Sequence, residues 1–100
     1  MYIVRDIMFC KPGKVRPMVE KFKAMKKLGE KSGMGNMRIL TDLSSERYWT
    51  VISEIEVPSL EAFMKMGQDA GPDTKEMERI MADYHDLVES GRREIYTVEG

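Results

Sequence analysis

Residues 37–57, MRILTDLSSERYWTVISEIEV, decide the architecture. Met37, Ile39, Thr41 and Leu43 alternate with Arg38, Leu40 and Asp42, the two-residue period of a half-buried strand. Ser44-Ser45-Glu46 is a polar break that reads as a hairpin loop, and a second alternating run spans Arg47 to Val57. Placing Asp42 opposite Tyr48 puts Arg38, Leu40, Thr50, Ile52, Glu54 and Glu56 on one face with them. The other face then collects Ile39, Thr41, Trp49, Val51 and Ile55. A one-residue slip exchanges the two faces, and this register is preferred because it separates polar from apolar residues.

Working outward, each side of the hairpin carries a helix and then a strand. Upstream, Tyr2 to Cys10 reads as a strand stopped by Lys11-Pro12-Gly13, and Val15, Met18, Val19, Phe22, Met25 and Leu28 recur at helical spacing after Lys14. Pro17 fits only in the first turn of that helix. Gly29, Gly33 and Gly35 let the chain reverse into the hairpin. Downstream, Ser59 can cap a short helix carrying Leu60, Phe63 and Met64, which Gly67 to Pro72 should break. Asp73 and Glu76 have the spacing of a capping box for a second stretch. Its apolar stripe runs through Met77, Ile80, Met81, Tyr84, Leu87 and Val88 to a C-cap at Ser90-Gly91, before a last strand from Arg92 to Val98.

The order βαββαβ, with right-handed crossovers, folds most simply into a four-stranded antiparallel sheet with both helices on one face, the α+β ferredoxin-like arrangement, in one domain spanning residues 1–100. The second sheet face would have no covering layer. Two copies packed sheet against sheet, closing a dimeric α/β barrel, supply one.

Composition narrows the classes of function. With 16 Lys plus Arg against 17 Asp plus Glu, the net charge is −1, which offers no overall attraction for nucleic acid or an anionic membrane. The lysines at 14, 21, 23, 26, 27 and 31 read as a solvated helix face. Apolar runs stay far below the length of a membrane span, and one cysteine without a leader pattern leads us to expect a cytoplasmic protein. Ten methionines, several at helical spacing, read first as core packing.

The chain resembles the dimeric α/β-barrel superfamily, particularly small NIPSNAP-like proteins and antibiotic-biosynthesis monooxygenases. The resemblance rests on Lys11-Pro12-Gly13-Lys14, on Arg38 to Ser44, on Glu54-Ile55-Glu56-Val57 followed by Ser59 to Phe63, and on Val88 to Tyr96. It implies a homodimer with an interior cavity. It implies no single reaction, because superfamily members differ widely in chemistry. The haem-degrading branch uses an Asn on the first strand, a Trp near the end of the third and a His on the second helix. Here Asp6 replaces the first, Trp49 lies at the wrong end of its strand, and only His85 matches.

The candidate chemistry is sparse. His85, the sole histidine, and Glu54 are the candidate catalytic bases. Arg38, Tyr48, Glu54, Glu56 and Tyr96 form a candidate ligand-binding set, Glu54 and Glu56 sharing a strand face by their two-residue spacing. The plainer reading of Arg38 and the glutamates is cross-strand ion pairing. No metal site and no cofactor are expected, since no second His or Cys stands in register with His85. The expected function is homodimeric binding of a small apolar or aromatic molecule. The alternatives are a cofactor-independent monooxygenase acting on such a molecule, and a purely structural module with a filled interior.

Overall fold

The computed structural model describes residues 1–31, 36–68 and 74–100. In chain order the elements are β1 (Tyr2–Cys10), α1 (Val15–Lys31), β2 (Met37–Thr41), β3 (Thr50–Val57), α2 (Leu60–Gln68), α3 (Thr74–Ile80), α4 (Tyr84–Leu87) and β4 (Val88–Thr97). The strands make one antiparallel sheet in the order β2-β3-β1-β4, the ferredoxin-like arrangement expected of the sequence. The glycine turn at residues 32–35 and the capping box at Asp73 fall outside the described residues.

The alternation of β1 assigns the two sheet faces. Val4, Met8 and Cys10 are buried with Val51, Ile55 and Val57 of β3, and α1 packs over Met8, Cys10 and Val51 through Met18, Val19 and Phe22. Leu87 closes one end of this core and Phe63 the other. Asp6 therefore points to the helices. Arg5, its neighbour, points to the open face with Ile3, Ile7 and Phe9.

Turn and cap chemistry follows the sequence closely. Gly13 takes φ 79°, a conformation open to glycine, where the chain turns from β1 into α1. Ser59 Oγ accepts from the Ala62 amide at 3.0 Å and opens α2. Lys21 departs from expectation. Only 9% exposed, it donates to the Ile80 carbonyl and to the Asp83 carboxylate, fastening α1 to the α3–α4 turn instead of lying in solvent.

The central hairpin is longer in the loop than its alternation predicts. β2 ends at Thr41 and β3 begins at Thr50, and the pairing Arg38↔Glu54, Leu40↔Ile52 replaces the expected Asp42–Tyr48 register. The cause is the Asp42 side chain. Its Oδ1 accepts from the Thr50 amide at 2.8 Å while Thr50 Oγ1 donates to the Arg47 carbonyl at 2.8 Å, closing the loop before Tyr48 and Trp49 can pair. The shift is two residues, so every side chain within the paired strands keeps its expected face, while Tyr48 and Trp49 leave the sheet.

The last helical stripe also divides. α3 stops at Ile80, α4 is a short turn, and β4 begins at Val88, so Ser90-Gly91 belongs to a strand instead of a C-cap. Gly91 faces Met8 beside an irregularity in the ladder between Phe9 and Cys10. A Cβ built there would sit 2.9 Å from the Ile7 carbonyl oxygen, a contact the backbone must move to relieve. Gly91→Ala is accordingly expected to cost about 1–3 kcal/mol, in the range for overpacking a rigid site. Urea denaturation of the two proteins checks this, and an unchanged midpoint would contradict the close approach.

Candidate functional site

Between the sheet and the helices lies a cavity of about 650 Å³. Asp6 and Met8 of β1, with Gly91 and Arg93 of β4, form its floor. Phe22 and Met25 of α1 and Met81, Tyr84 and His85 of the α3–α4 segment form its walls. Room exists here partly because Gly91 contributes no side chain to the floor, and partly because the stripe breaks after Ile80 instead of laying a continuous helix across β4.

The polar residues of this cavity are Asp6, Tyr84, His85, Glu89, Ser90, Arg92 and Arg93. Arg93 grips Asp6 with two parallel bonds, Nε to Oδ1 at 2.6 Å and Nη2 to Oδ2 at 3.3 Å, while its guanidinium lies 5.0 Å from the centre of the Phe63 ring. The bond to Asp6, opposed by partial burial, raises the Arg93 pKa further. Burial, reinforced by the negative charge of Asp6, pushes the Tyr84 phenol upward. Tyr84 is therefore a neutral donor near pH 7. The His85 ring stands edge-on to it, at 5.3 Å between centres and 81° between planes.

On the opposite face of the sheet, Glu54 is the organising charge. Only 4% exposed, it accepts from Arg5 Nε at 2.6 Å and from Arg38 Nη2, side chains supplied by the strands on either side. Burial raises its pKa, but the hydrogen bonds and charges of the two arginines prevail, and the net shift is downward. Ile3, Asn36, Arg38, Glu54 and Glu56 line a hollow of about 360 Å³ here. Tyr96 stands on the same face, 5.4 Å beneath the Arg5 guanidinium, and donates its hydroxyl to Glu94 at 2.6 Å. That bond, with burial, raises the Tyr96 pKa.

The structure thus divides the residues singled out from sequence. Arg38, Glu54, Glu56 and Tyr96 share the open face. His85 lies across the sheet from Glu54, so the two candidate bases do not face a common space. Tyr48 belongs to neither group. It is 84% exposed and borders a third hollow with Trp49. Reading the sequence missed Asp6, Tyr84, Gly91 and Arg93 as cavity residues, because their meeting depends on the β1–β4 register across more than eighty residues of chain. The available signal was the alternation that sends one of Arg5 and Asp6 to each face. Among the described residues, no group of three or more His, Cys, Asp or Glu is arranged to hold a metal ion.

The architecture is shared with known structures. The chain is similar to an uncharacterized NIPSNAP domain protein from Burkholderia xenovorans, with a TM-score of 0.74 and 14% identity over 99% of this chain and 95% of that one. A NIPSNAP family protein from Agrobacterium tumefaciens is similar at a TM-score of 0.71 and 19% identity, over 97% of this chain and 92% of that one. A protein from Deinococcus radiodurans, provisionally assigned as an antibiotic biosynthesis monooxygenase, gives 0.70 and 12% over 100% and 94%. No family model and no curated protein matches the chain. At these identities the likeness is one of fold, and it joins the chain to the architecture common to NIPSNAP domains and monooxygenase-like proteins.

Proposed function

We propose that this protein is a homodimer that binds a small apolar or aromatic molecule between the sheet and the helices of each subunit. The observation that carries the reading is the 650 Å³ cavity, in which Met8, Phe22, Met25 and Met81 stand beside the Asp6–Arg93 pair, Tyr84 and His85. That volume lies within the usual range for small-molecule sites, roughly 300–1,000 Å³. Met8, Met25 and Met81 line it beside Phe22, and polarizable thioethers adapt to an aromatic ring. Tyr84 and His85, both in its lining, would bind one hydroxyl or carbonyl of the guest.

The open face fits the role of subunit contact better than that of ligand site. Both oxygens of Glu54 are engaged and the Tyr96 hydroxyl is spent on Glu94, which leaves neither free to receive a substrate proton. Around them, Arg47 and Arg92 cover Phe9 at 4.3 and 5.7 Å, and Tyr96 remains 47% exposed. A second copy laid on this face would cover the rings and charges together. The NIPSNAP-like resemblance supports the same packing.

A second reading, favoured by the Tyr84–His85 pair at the cavity and by the monooxygenase-like fold neighbours, is cofactor-independent oxidation of an electron-rich phenol. His85 would take the phenolic proton and Tyr84 would hold the oxyanion. With 1-naphthol and O2, one oxygen atom enters the ring as a carbonyl and the other leaves as water with two hydrogens from the substrate, giving a quinone. Oxygen uptake that is lost in His85→Ala distinguishes this reading from binding alone.

Two measurements follow. NMR titration with 2-naphthol is expected to shift the His85 ring signals saturably, and Met25→Trp, which narrows the cavity, to weaken the shift; a shift confined to open-face residues would refute the site. The second concerns acid. Because the native Glu54 pKa lies below its unfolded value, near 4.3 for a free Glu, its contribution is complete above that value and is lost as pH falls through the native one. Glu54→Gln is expected to lower stability at pH 7 by about 1–2 kcal/mol, discounted for the exposure of both arginines, and to flatten the acid limb of the stability curve. Identical acid limbs would contradict the pairing.

A further inference from the structure

We propose that the hollow at the base of the β2–β3 loop is a second ligand site, selective for a planar aromatic ring carrying an anionic group. The hollow is about 350 Å³ and is lined by Val15 and Arg16 of α1, Thr41 and Asp42 at the end of β2, and Tyr48 and Trp49 of the loop. It is separate from the cavity that holds His85, with which it shares no residue.

Trp49 has a backbone that its side chain disfavours. Its φ is 62°, the left-handed region, which costs a residue with a Cβ about 1–2 kcal/mol. Two contacts hold it there. The Trp49 carbonyl accepts from the Cys10 amide at 2.8 Å, and the next amide, Thr50, is bound by Asp42 at 2.8 Å. The result is a large ring 44% exposed beside a hollow, with Tyr48 next to it at 84%. Strain that keeps an aromatic ring out of the core calls for a compensating use. A flat guest can stack on the indole face.

Arg16 sets the charge of that guest. Among the described residues every other arginine has a carboxylate partner: Arg5 and Arg38 on Glu54, Arg47 on Glu89, Arg79 on Glu76, Arg92 on Glu94 and Arg93 on Asp6. Arg16 has none, and the first turn of α1 holds no acidic residue. The acidic group of the hollow, Asp42, has one oxygen committed to the Thr50 amide. The basic residue of the hollow is thus an arginine without a carboxylate partner, Arg16, whose planar fork suits a carboxylate, sulfonate or phosphate. An aromatic acid satisfies the ring and the cation at once.

The test uses 2-naphthoate and its neutral counterpart 2-naphthylmethanol. Trp49 is the only tryptophan, so its indole N–H signal in a ¹⁵N spectrum reports on this hollow alone. Naphthoate is expected to shift that signal saturably in the wild type and also in Met25→Trp, whose larger cavity is narrowed and whose second indole signal is told apart by its absence from the wild-type spectrum. By calorimetry, Arg16→Gln should weaken naphthoate by about fivefold or more, the loss of one charged hydrogen bond, and remove its advantage over the alcohol. Trp49→Gly, in which glycine accepts φ 62° without strain, should stay folded and lose binding. The proposal is overturned by a silent indole signal, by equal affinity for acid and alcohol, by unchanged affinity in Arg16→Gln, or by an indole shift that follows protein concentration instead of naphthoate, which would mark the loop as a contact between copies. A shift that survives in Met25→Trp stands whether or not the larger cavity binds 2-naphthol.

Discussion

A carboxylate buried in the middle of a sheet governs this molecule. Glu54 on β3 is almost without solvent, and an ionised group in that position is tolerated only when its partners are supplied. Arg5 arrives from β1 and Arg38 from β2, each directly opposite in the ladder, so one charge fixes the register of three strands. A slip of β3 by one residue would send the carboxylate into the apolar layer under α1 and leave both arginines behind on the other face. The interaction acts as a specification of pairing more than as a source of net stability, since charges this costly to desolvate return little beyond their own burial.

Once that register is set, the sheet is a partition. Every second residue of β1 belongs to the helix side, which places Asp6 there and lets Arg93 reach it across the β1–β4 pairing. The large cavity then results from an omission and a break: glycine at position 91, and the stripe interrupted after Ile80. Lys21 holds the interrupted segment against α1 by its ties to Ile80 and Asp83, which keeps Tyr84 and His85 at the cavity wall. On the other side the arginines lie over Phe9 and Tyr96, so the face presents charge on an apolar base.

Most of the architecture was legible in the sequence because it is periodic. The two-residue alternation of Met37–Leu43 and Arg47–Val57 and the helical stripe from Val15 to Leu28 place the elements and their faces, and Ser59 and Gly13 place a cap and a turn. What escaped was set by single side chains with local bonds. Asp42 captures the Thr50 amide and lengthens the hairpin loop, which removes Trp49 from the strand and turns it into the left-handed region. The stripe from Met77 to Val88 has one period throughout, yet it spans α3, a turn, α4 and the start of β4, because hydrophobic spacing does not register the chain's need to return to β1. The candidate site was legible only in part. Arg38 and Glu54 were grouped by strand parity, whereas the meeting of Asp6, Tyr84, His85 and Arg93 needs long-range pairing that no local pattern encodes.

The account assigns the two sides of the sheet to different tasks, a guest on the helix side and a twin subunit on the other. An isotope-filtered NOE experiment on a mixture of labelled and unlabelled protein, saturated with 2-naphthol, tests both assignments in one sample. The account predicts contacts between subunits at the Ile3 and Ile52 methyls, and contacts to the naphthol at the methyls of Met8, Met25 and Met81. Naphthol contacts at Ile52, or no contact between subunits at either isoleucine, would contradict it.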